Sequence, residues 1–165
     1  MFSFRIAVIL LVLVAFTGCE YYEDELGQEK LIPYPVNQKV PFQMKCELFR
    51  VWSSNQIQIR SAIHTTFVSL RGVKTFGKDR EAEFFARDQL HQWLDSKPMD
   101  ILVFNVNQLR HTSGDIMCEG RNINLEVVRA GWGRYDGSKF DDWEKFAEAE
   151  ETAKTNGRGL WGNEF

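Results

Sequence analysis

Hydrophobic and polar positions repeat with two different periods along the chain, and each change of period marks a predicted element. Alternation with period two, in short runs bounded by turn residues, is typical of half-buried strands. Such runs predict strands at residues 44–52, 57–59, 67–70, 100–106 and 115–119. Between residues 79 and 96, apolar side chains recur every three or four positions. This spacing predicts an amphipathic helix, which Pro98 prevents from continuing.

Two further helices are predicted after the last strand. Asn122 or Asn124 can cap the first of them, and Gly131 supplies the left-handed residue that ends it. Ser138, with an aspartate three residues later, forms an N-terminal capping signature for the second helix. The order of three strands, a helix, two strands and two helices predicts an α+β fold whose helices cover a sheet.

The first residues of the chain have the pattern of an export signal. Arg5 precedes an unbroken apolar run over residues 6–16, and these eleven residues are too few to span a bilayer. The sequence Phe-Thr-Gly-Cys at residues 16–19 resembles the bacterial lipoprotein box, in which the cysteine becomes the lipidated first residue. We therefore predict a signal peptide at residues 1–18 and a lipid anchor on Cys19. A core helix or an uncleaved anchor would also fit the apolar run.

The segment after the anchor is acidic and has no apolar period. We predict that residues 19–40 form a lipidated tether and that residues 41–165 form one folded domain. Removal of the signal peptide leaves 19 of the 20 Lys and Arg residues against 23 Asp and Glu, a net charge of −4. Phosphate binding needs a basic footprint, so this charge weighs against a nucleic-acid partner without excluding a local basic groove.

Cys46 and Cys118 remain in the exported chain, where an oxidising compartment favours disulfides. Two interpretations stay open, because pairing cannot be deduced from sequence spacing. The two residues form a disulfide, or they are separate buried thiols on different strands. The three cysteines and three histidines of the chain lack the short paired spacing of zinc ligands.

Four short motifs carry a resemblance to a known family. They are Phe-Gly-Lys at 76–78, Gly-Arg-Asn-Ile-Asn at 120–124, Val-Arg-Ala-Gly-Trp at 128–132 and Gly-Leu-Trp at 159–161. In this order and spacing they resemble staphylococcal nuclease-like (thermonuclease) domains over residues 44–161. The resemblance implies a five-stranded OB-type β-barrel with three helices. It also implies calcium-assisted cleavage of phosphodiesters in members that keep the family's active site.

The resemblance assigns the calcium ligands to positions where this chain lacks carboxylates. The acidic metal-binding turn after the first strand corresponds to the turn that contains Ser53 and Asn55, and a third acidic position is occupied by Lys74. The Pro-Glu pair that supplies the family's catalytic carboxylate is missing after Lys74. Hard oxygen ligands hold calcium and a carboxylate activates water, so both parts of this chemistry are lost.

The family also uses two arginines that stabilise the charge of the transition state. Ser69 occupies the position of the first, and Arg71 lies two residues further on as a candidate substitute. His111 occupies the position of the second, next to Arg110, which is a second candidate substitute. A histidine is only partly charged near neutral pH and is therefore a weaker phosphate ligand.

These substitutions favour an envelope lipoprotein whose thermonuclease-like domain is degenerate and not an enzyme, with a binding or scaffold role and no cofactor. The expected partners are the membrane, through the lipid anchor, and an oligonucleotide or protein ligand. The expected location is the bacterial cell envelope. The alternative is an active, calcium-dependent envelope nuclease with a rearranged site around Arg71, Arg110 and His111.

Overall fold

The computed structural model describes residues 39–61, 65–77, 80–106 and 111–162, which belong to a compact unit that runs from Leu31 to Phe165. The signal peptide, Cys19 and almost all of the tether predicted from the sequence lie outside these residues. Within them, no helix is long and apolar enough to cross a membrane.

The elements follow one another in the order strands, helix, strands, helices, with two short strands added. The strands are β1 (Phe42–Ser53), β2 (Gln56–Arg60), β3 (Thr65–Leu70), β4 (Val73–Lys74), β5 (Met99–Val106), β6 (His111–Cys118), β7 (Arg121–Asn122) and β8 (Arg134–Tyr135). The helices are α1 (Arg80–Leu94), α2 (Ile123–Arg129) and α3 (Trp143–Thr155), followed by a 3₁₀ turn at Gly159–Trp161.

Five of the strands close into a barrel. Hydrogen-bonded neighbours run β3-β2-β1-β5-β6, and an additional pairing of β3 with β6 joins the two ends. This closing pair is parallel, whereas the other four pairs are antiparallel. The predicted OB-type barrel with three helices is therefore confirmed. The two-residue strands β4 and β8 form a separate ribbon, which is too short to leave a periodic signal in the sequence.

The core fills the inside of the barrel and the space under α1. Alternate residues of each barrel strand point inward, as the period-two pattern predicts, and are almost completely buried. They include Ile57, Ile59, Val68, Leu70, Ile101, Val103 and Ile116. On α1, the apolar residues at helical spacing, Ala82, Ala86, Leu90 and Leu94, are buried.

Two boundaries predicted from the sequence are wrong. Strand β6 begins at His111 instead of residue 115, so Asp115 lies in the middle of a strand. Helix α3 begins at Trp143, five residues after Ser138, so Ser138 does not cap it; its hydroxyl donates to the Asp136 carboxylate at 2.5 Å. Between the two candidates for the α2 cap, the structure has Asn122, whose side-chain oxygen accepts from a backbone N–H of the first turn.

The two cysteines are free and buried. Cys46 on β1 pairs with Met99 on β5, and Met99 pairs in turn with Cys118 on β6. A whole strand thus separates the two cysteines, which puts their Cα atoms about 10 Å apart. A disulfide needs Cα atoms closer than about 7 Å. The disulfide interpretation is therefore wrong, and the cysteines are separate buried thiols.

Because Cys46 is buried, the domain should lose stability at alkaline pH. Burial, and to a smaller extent the Asp100 and Glu47 carboxylates, raise the pKa of the Cys46 thiol from 9.0 to about 12. The unfolded chain therefore ionises this thiol at a lower pH than the folded chain, so stability is lost as pH rises from about 9 to 12. We expect the urea midpoint of the wild type to fall more steeply over this range than that of Cys46→Ala. Parallel profiles would contradict the assignment.

Candidate functional site

The positions that the family resemblance assigns to the active site converge at one end of the barrel. Ser69, near the end of β3, lies between Gln56 of β2 and Ser113 of β6 in the strand register. The backbone oxygen of Asn55 accepts from Leu70 N–H at 2.8 Å, which fixes the β1–β2 turn beside the end of β3. The fold therefore brings these positions together at one end of the barrel.

The β1–β2 turn is held by a carboxylate that the sequence did not indicate. Glu83 of α1 accepts hydrogen bonds from the backbone N–H of Ser54 and, at 3.2 Å, from its hydroxyl. Ser54 is 1% exposed, so these bonds satisfy buried polar groups. Ser53 donates its hydroxyl to the Asn55 side-chain oxygen at 2.7 Å. Side-chain groups of this turn are thus engaged with one another and with α1.

Cationic side chains lie close to the β1–β2 turn, where the family resemblance predicts an acidic ligand. The Asn55 amide donates to the Val73 carbonyl oxygen at 3.3 Å, so the turn lies directly against β4. The next residue, Lys74, is exposed and pairs in register with Arg134 of β8. A divalent cation at this place would meet positive charge and neutral oxygens instead of the carboxylates that calcium prefers. The residues present therefore do not fit a calcium site.

The described part of the chain holds no alternative metal centre either. Within it, no group of three or more His, Cys, Asp or Glu side chains is arranged so that it could hold a metal ion. The Glu83 carboxylate, which contacts the turn, already accepts two hydrogen bonds from Ser54. We therefore derive no chemical step through a metal.

Arg71, the substitute guanidinium named from the sequence, is held by a partner of its own. Its Nε donates to Asp115 Oδ1 at 2.9 Å, and its terminal nitrogen donates to the other carboxylate oxygen. The guanidinium lies over the ring of Phe104, 3.6 Å from its centre, and 4.5 Å from the centre of Phe140. The side chains of the ion pair are only 18% and 14% exposed. Bidentate geometry and stacking together fix this arginine in place.

Asn124 organises the structure around that ion pair. It is completely buried, and its side-chain oxygen accepts from the N–H of Ile116 at 3.1 Å. Its amide lies within hydrogen-bonding distance of the Arg71 and Gly114 carbonyl oxygens, at 3.0 and 2.9 Å, and 3.3 Å from Asp115 Oδ1. One side chain thereby joins the start of α2 to β6 and to the turn after β3.

The second pair of candidates lies at the start of β6. The backbone of His111 pairs with Phe67 of β3, two residues from the pairing of Ser69 with Ser113. His111 therefore belongs to the same end of the barrel as Ser69. Arg110 lies outside the described residues, and the side chain of His111 is not described. The rearranged site proposed as an alternative can thus be judged only through Arg71, which Asp115 already binds.

Three residues important at this end of the barrel were missed by reasoning from sequence. Asp115 was predicted only to begin a strand, Asn124 was predicted only as a candidate cap, and Glu83 was not singled out. The polar Asn124 within an otherwise apolar helix start was a usable signal. The partners of Asp115 and Glu83 lie 44 and 29 residues away in the chain, beyond the reach of local patterns.

Comparison with known proteins agrees with this geometry. A sequence model of the staphylococcal nuclease homologue family matches residues 64–163, more than half of the chain. The matched range contains β3, all three helices, and strands β5 and β6 of the barrel. It begins after β2, so β1 and β2 are placed in the barrel by the structure alone. No curated protein matches the chain.

Proposed function

Since the chain belongs to the family of staphylococcal nuclease homologues, we propose that its barrel keeps the family's fold without the cleavage chemistry. The domain then serves as a binding or scaffold module of the bacterial cell envelope. The proposal joins two arguments, one about the site and one about the N-terminal segment. Fold alone does not fix function, so each argument rests on particular residues.

The observation that carries the site argument is the ion pair of Arg71 with Asp115. A transition-state arginine must offer free N–H donors to the developing charge on phosphorus. Arg71 donates to both oxygens of Asp115, so the N–H groups along one edge of its guanidinium are already engaged. Removing the carboxylate from a pair this little exposed would cost stability, so a substrate competes poorly for the arginine.

The rest of the site supports the same conclusion. Ser69 offers a hydroxyl where the family has a guanidinium, and Lys74 reverses the charge of a metal-ligand position. Catalytic groups that act as a unit fail together, so the loss of several does not leave a proportional fraction of the rate. One missing electrostatic donor alone can cost about 10²–10³ in rate.

The first nineteen residues support a location in the envelope. A short apolar run after Arg5 and the Gly-Cys pair at 18–19 support export and lipidation at Cys19. A single acyl chain gives only marginal membrane binding, so stable attachment needs the several chains that a lipoprotein cysteine carries.

A cleavage assay tests the site argument. We expect the purified chain to cleave neither single-stranded nor double-stranded DNA, nor RNA, at any calcium concentration or with a chelator present. The matched control is the variant Arg110→Ala/His111→Ala, prepared in parallel. Cleavage that is equal in both proteins belongs to a contaminant. Calcium-dependent turnover that the double substitution abolishes would overturn the proposal and establish the alternative, an active envelope nuclease.

Substitution of the anchor tests the envelope argument. We expect Cys19→Ser to leave the domain folded but to block processing or to release the protein from the membrane fraction of the bacterial cell. Cys46→Ser is the matched control, because it also removes one thiol but should leave the protein in the membrane fraction. Mass spectrometry of the purified N-terminus identifies the lipid directly. Fully processed Cys19→Ser protein that remains in the membrane fraction would count against a lipid anchor on Cys19.

A further inference from the structure

The outer face of β1 and β2 carries two large aromatic side chains that remain nearly half exposed. Phe49 is 47% exposed and Trp52 is 44% exposed. Each lies at an irregularity of β1, where the register to β2 shifts between Leu48 and Arg50 and again between Val51 and Ser53. A bulge re-aims a side chain, so both rings project from the barrel surface.

Arginines accompany both rings. The Arg60 guanidinium lies 4.8 Å from the centre of the Phe49 ring, and that of Arg50 lies 5.4 Å from the Trp52 ring. Trp52 also packs against Phe67 of β3, with 5.7 Å between ring centres. Neither Arg50 nor Arg60 forms an ion pair with another described residue. The face therefore combines exposed apolar rings with two arginines, of which Arg60 lies opposite the exposed Glu47 in the strand register.

We propose that this face, defined by Phe49, Arg50, Trp52 and Arg60, docks the domain on an anionic lipid surface. Tryptophan is enriched at the membrane–water boundary, and phenylalanine is among the apolar side chains that membrane-surface segments bury there. Arginine stems lie along apolar surface while their charged ends reach the headgroups. Each cationic residue close to an anionic leaflet strengthens binding, and exposed apolar area adds to it.

The short chain between Cys19 and β1 would keep the domain near the bilayer, so even weak binding of the face to lipid would hold it there. This step rests on the proposed anchor at Cys19. Twenty-two residues separate Cys19 from Phe42, so even a fully extended chain keeps the start of β1 within roughly 80 Å of the anchored residue. A tether of this reach gives an effective concentration on the order of millimolar at the bilayer. A face too weak to recruit a free protein would therefore still keep the tethered domain on the membrane.

Vesicle binding of the unlipidated protein tests the face independently of the anchor. We use the chain from Glu20 to Phe165, which contains the whole compact unit and carries neither signal nor lipid. We expect it to sediment with vesicles of phosphatidylethanolamine and anionic phosphatidylglycerol, weakly, and less with neutral phosphatidylcholine or at high salt. Arg50→Gln/Arg60→Gln should bind roughly 30-fold more weakly, as about 1 kcal/mol for each arginine near the surface implies.

Substitution of the aromatic rings separates apolar docking from charge. Phe49→Ser/Trp52→Ser should reduce sedimentation at both low and high salt. Phe84→Ser is the matched control, because Phe84 is 64% exposed on α1 and does not belong to the face. Circular dichroism confirms that all variants are folded. No vesicle binding by the wild type, or equal loss in Phe84→Ser, would overturn the proposal. Binding of single-stranded oligonucleotides through these residues, without vesicle binding, would also overturn it and identify a nucleic-acid face.

The result of the vesicle experiments can be told apart from the result of the experiments that test the proposed function. Cleavage activity and lipidation of Cys19 are measured on other residues and with other readouts. A lipidated, inactive protein whose unlipidated chain ignores vesicles would leave the proposed function intact and refute only the docking face.

Discussion

Replacing Gly131 with alanine should destabilise the domain by about 2–5 kcal/mol. Gly131 has a φ of +75°, which costs a non-glycine residue roughly 1–2 kcal/mol. An added methyl group would overlap the carbonyl oxygen of Arg158 and lie 2.7 Å from its carbonyl carbon. Since the obstacle is backbone, overpacking adds about 1–3 kcal/mol. The Gly131 carbonyl also accepts from Leu160 N–H at 2.9 Å, so this contact holds the C-terminal segment against the end of α2.

Gly120→Ala is the matched control for this prediction. Gly120 has the same φ of +75°, but a methyl group there would meet no atom within 4 Å. We therefore expect Gly120→Ala to cost only the conformational part, about 1–2 kcal/mol. Urea unfolding of both variants, followed by circular dichroism, gives the difference. Equal losses in the two variants would mean that the Arg158 segment moves away from α2 without cost.

Replacing Asn124 with alanine should cost about 3–4 kcal/mol. The substitution leaves the Ile116 N–H and the Arg71 carbonyl oxygen without the partner described above, in a buried site, whereas the Gly114 carbonyl oxygen still accepts from the Arg71 N–H. Each buried polar group that loses its partner costs about 1–3 kcal/mol. Asp115 loses its contact with the amide as well, which loosens the ion pair to Arg71. Urea unfolding measures the loss.

Two further substitutions show whether hydrogen bonding is the cause. Asn122→Ala removes only the cap of α2 and should cost about 1 kcal/mol. Asn124→Asp keeps the shape but brings a carboxylate against two carbonyl oxygens and Asp115. Its stability should therefore recover as pH falls and the new carboxyl becomes protonated. A loss in Asn124→Asp that does not change with pH would point to packing instead of hydrogen bonding.

The barrel could be predicted from the sequence because its strands and α1 follow local periods. Inward positions such as Ile57 and Ile59 alternate with polar residues, and the apolar face of α1 repeats at helical spacing. The start of α3 could not be predicted, because Ser138 donates its N–H and hydroxyl to Asp136 in a local turn, and the helix begins only at Trp143. The β4–β8 ribbon pairs residues about 60 positions apart and each strand is only two residues long, so no local pattern predicts it.

The candidate site was predictable only as a set of missing groups. The sequence indicates that Ser69 and Lys74 replace charged residues of the family. The contacts that the structure has at this site join residues that are far apart in the chain. The bond of Asp115 to Arg71 depends on the register of β6 beside the end of β3, and the bond of Glu83 to Ser54 depends on how α1 packs on β1. Such partners follow from the closed barrel and not from the residues next to them.

The parallel pairing of β3 with β6 has a consequence for how the chain reaches its folded state. Leu70 and Gly114 are partners across 44 positions, with β4, α1 and β5 between them. Contacts between residues so distant in the chain incur a large loop-closure entropy before any contact energy is gained, so the barrel should close late and slowly. Until it closes, β3 and β6 each present an unpaired edge that can recruit a strand from a second chain. Association of unfinished chains through these edges is then a hazard while the barrel folds.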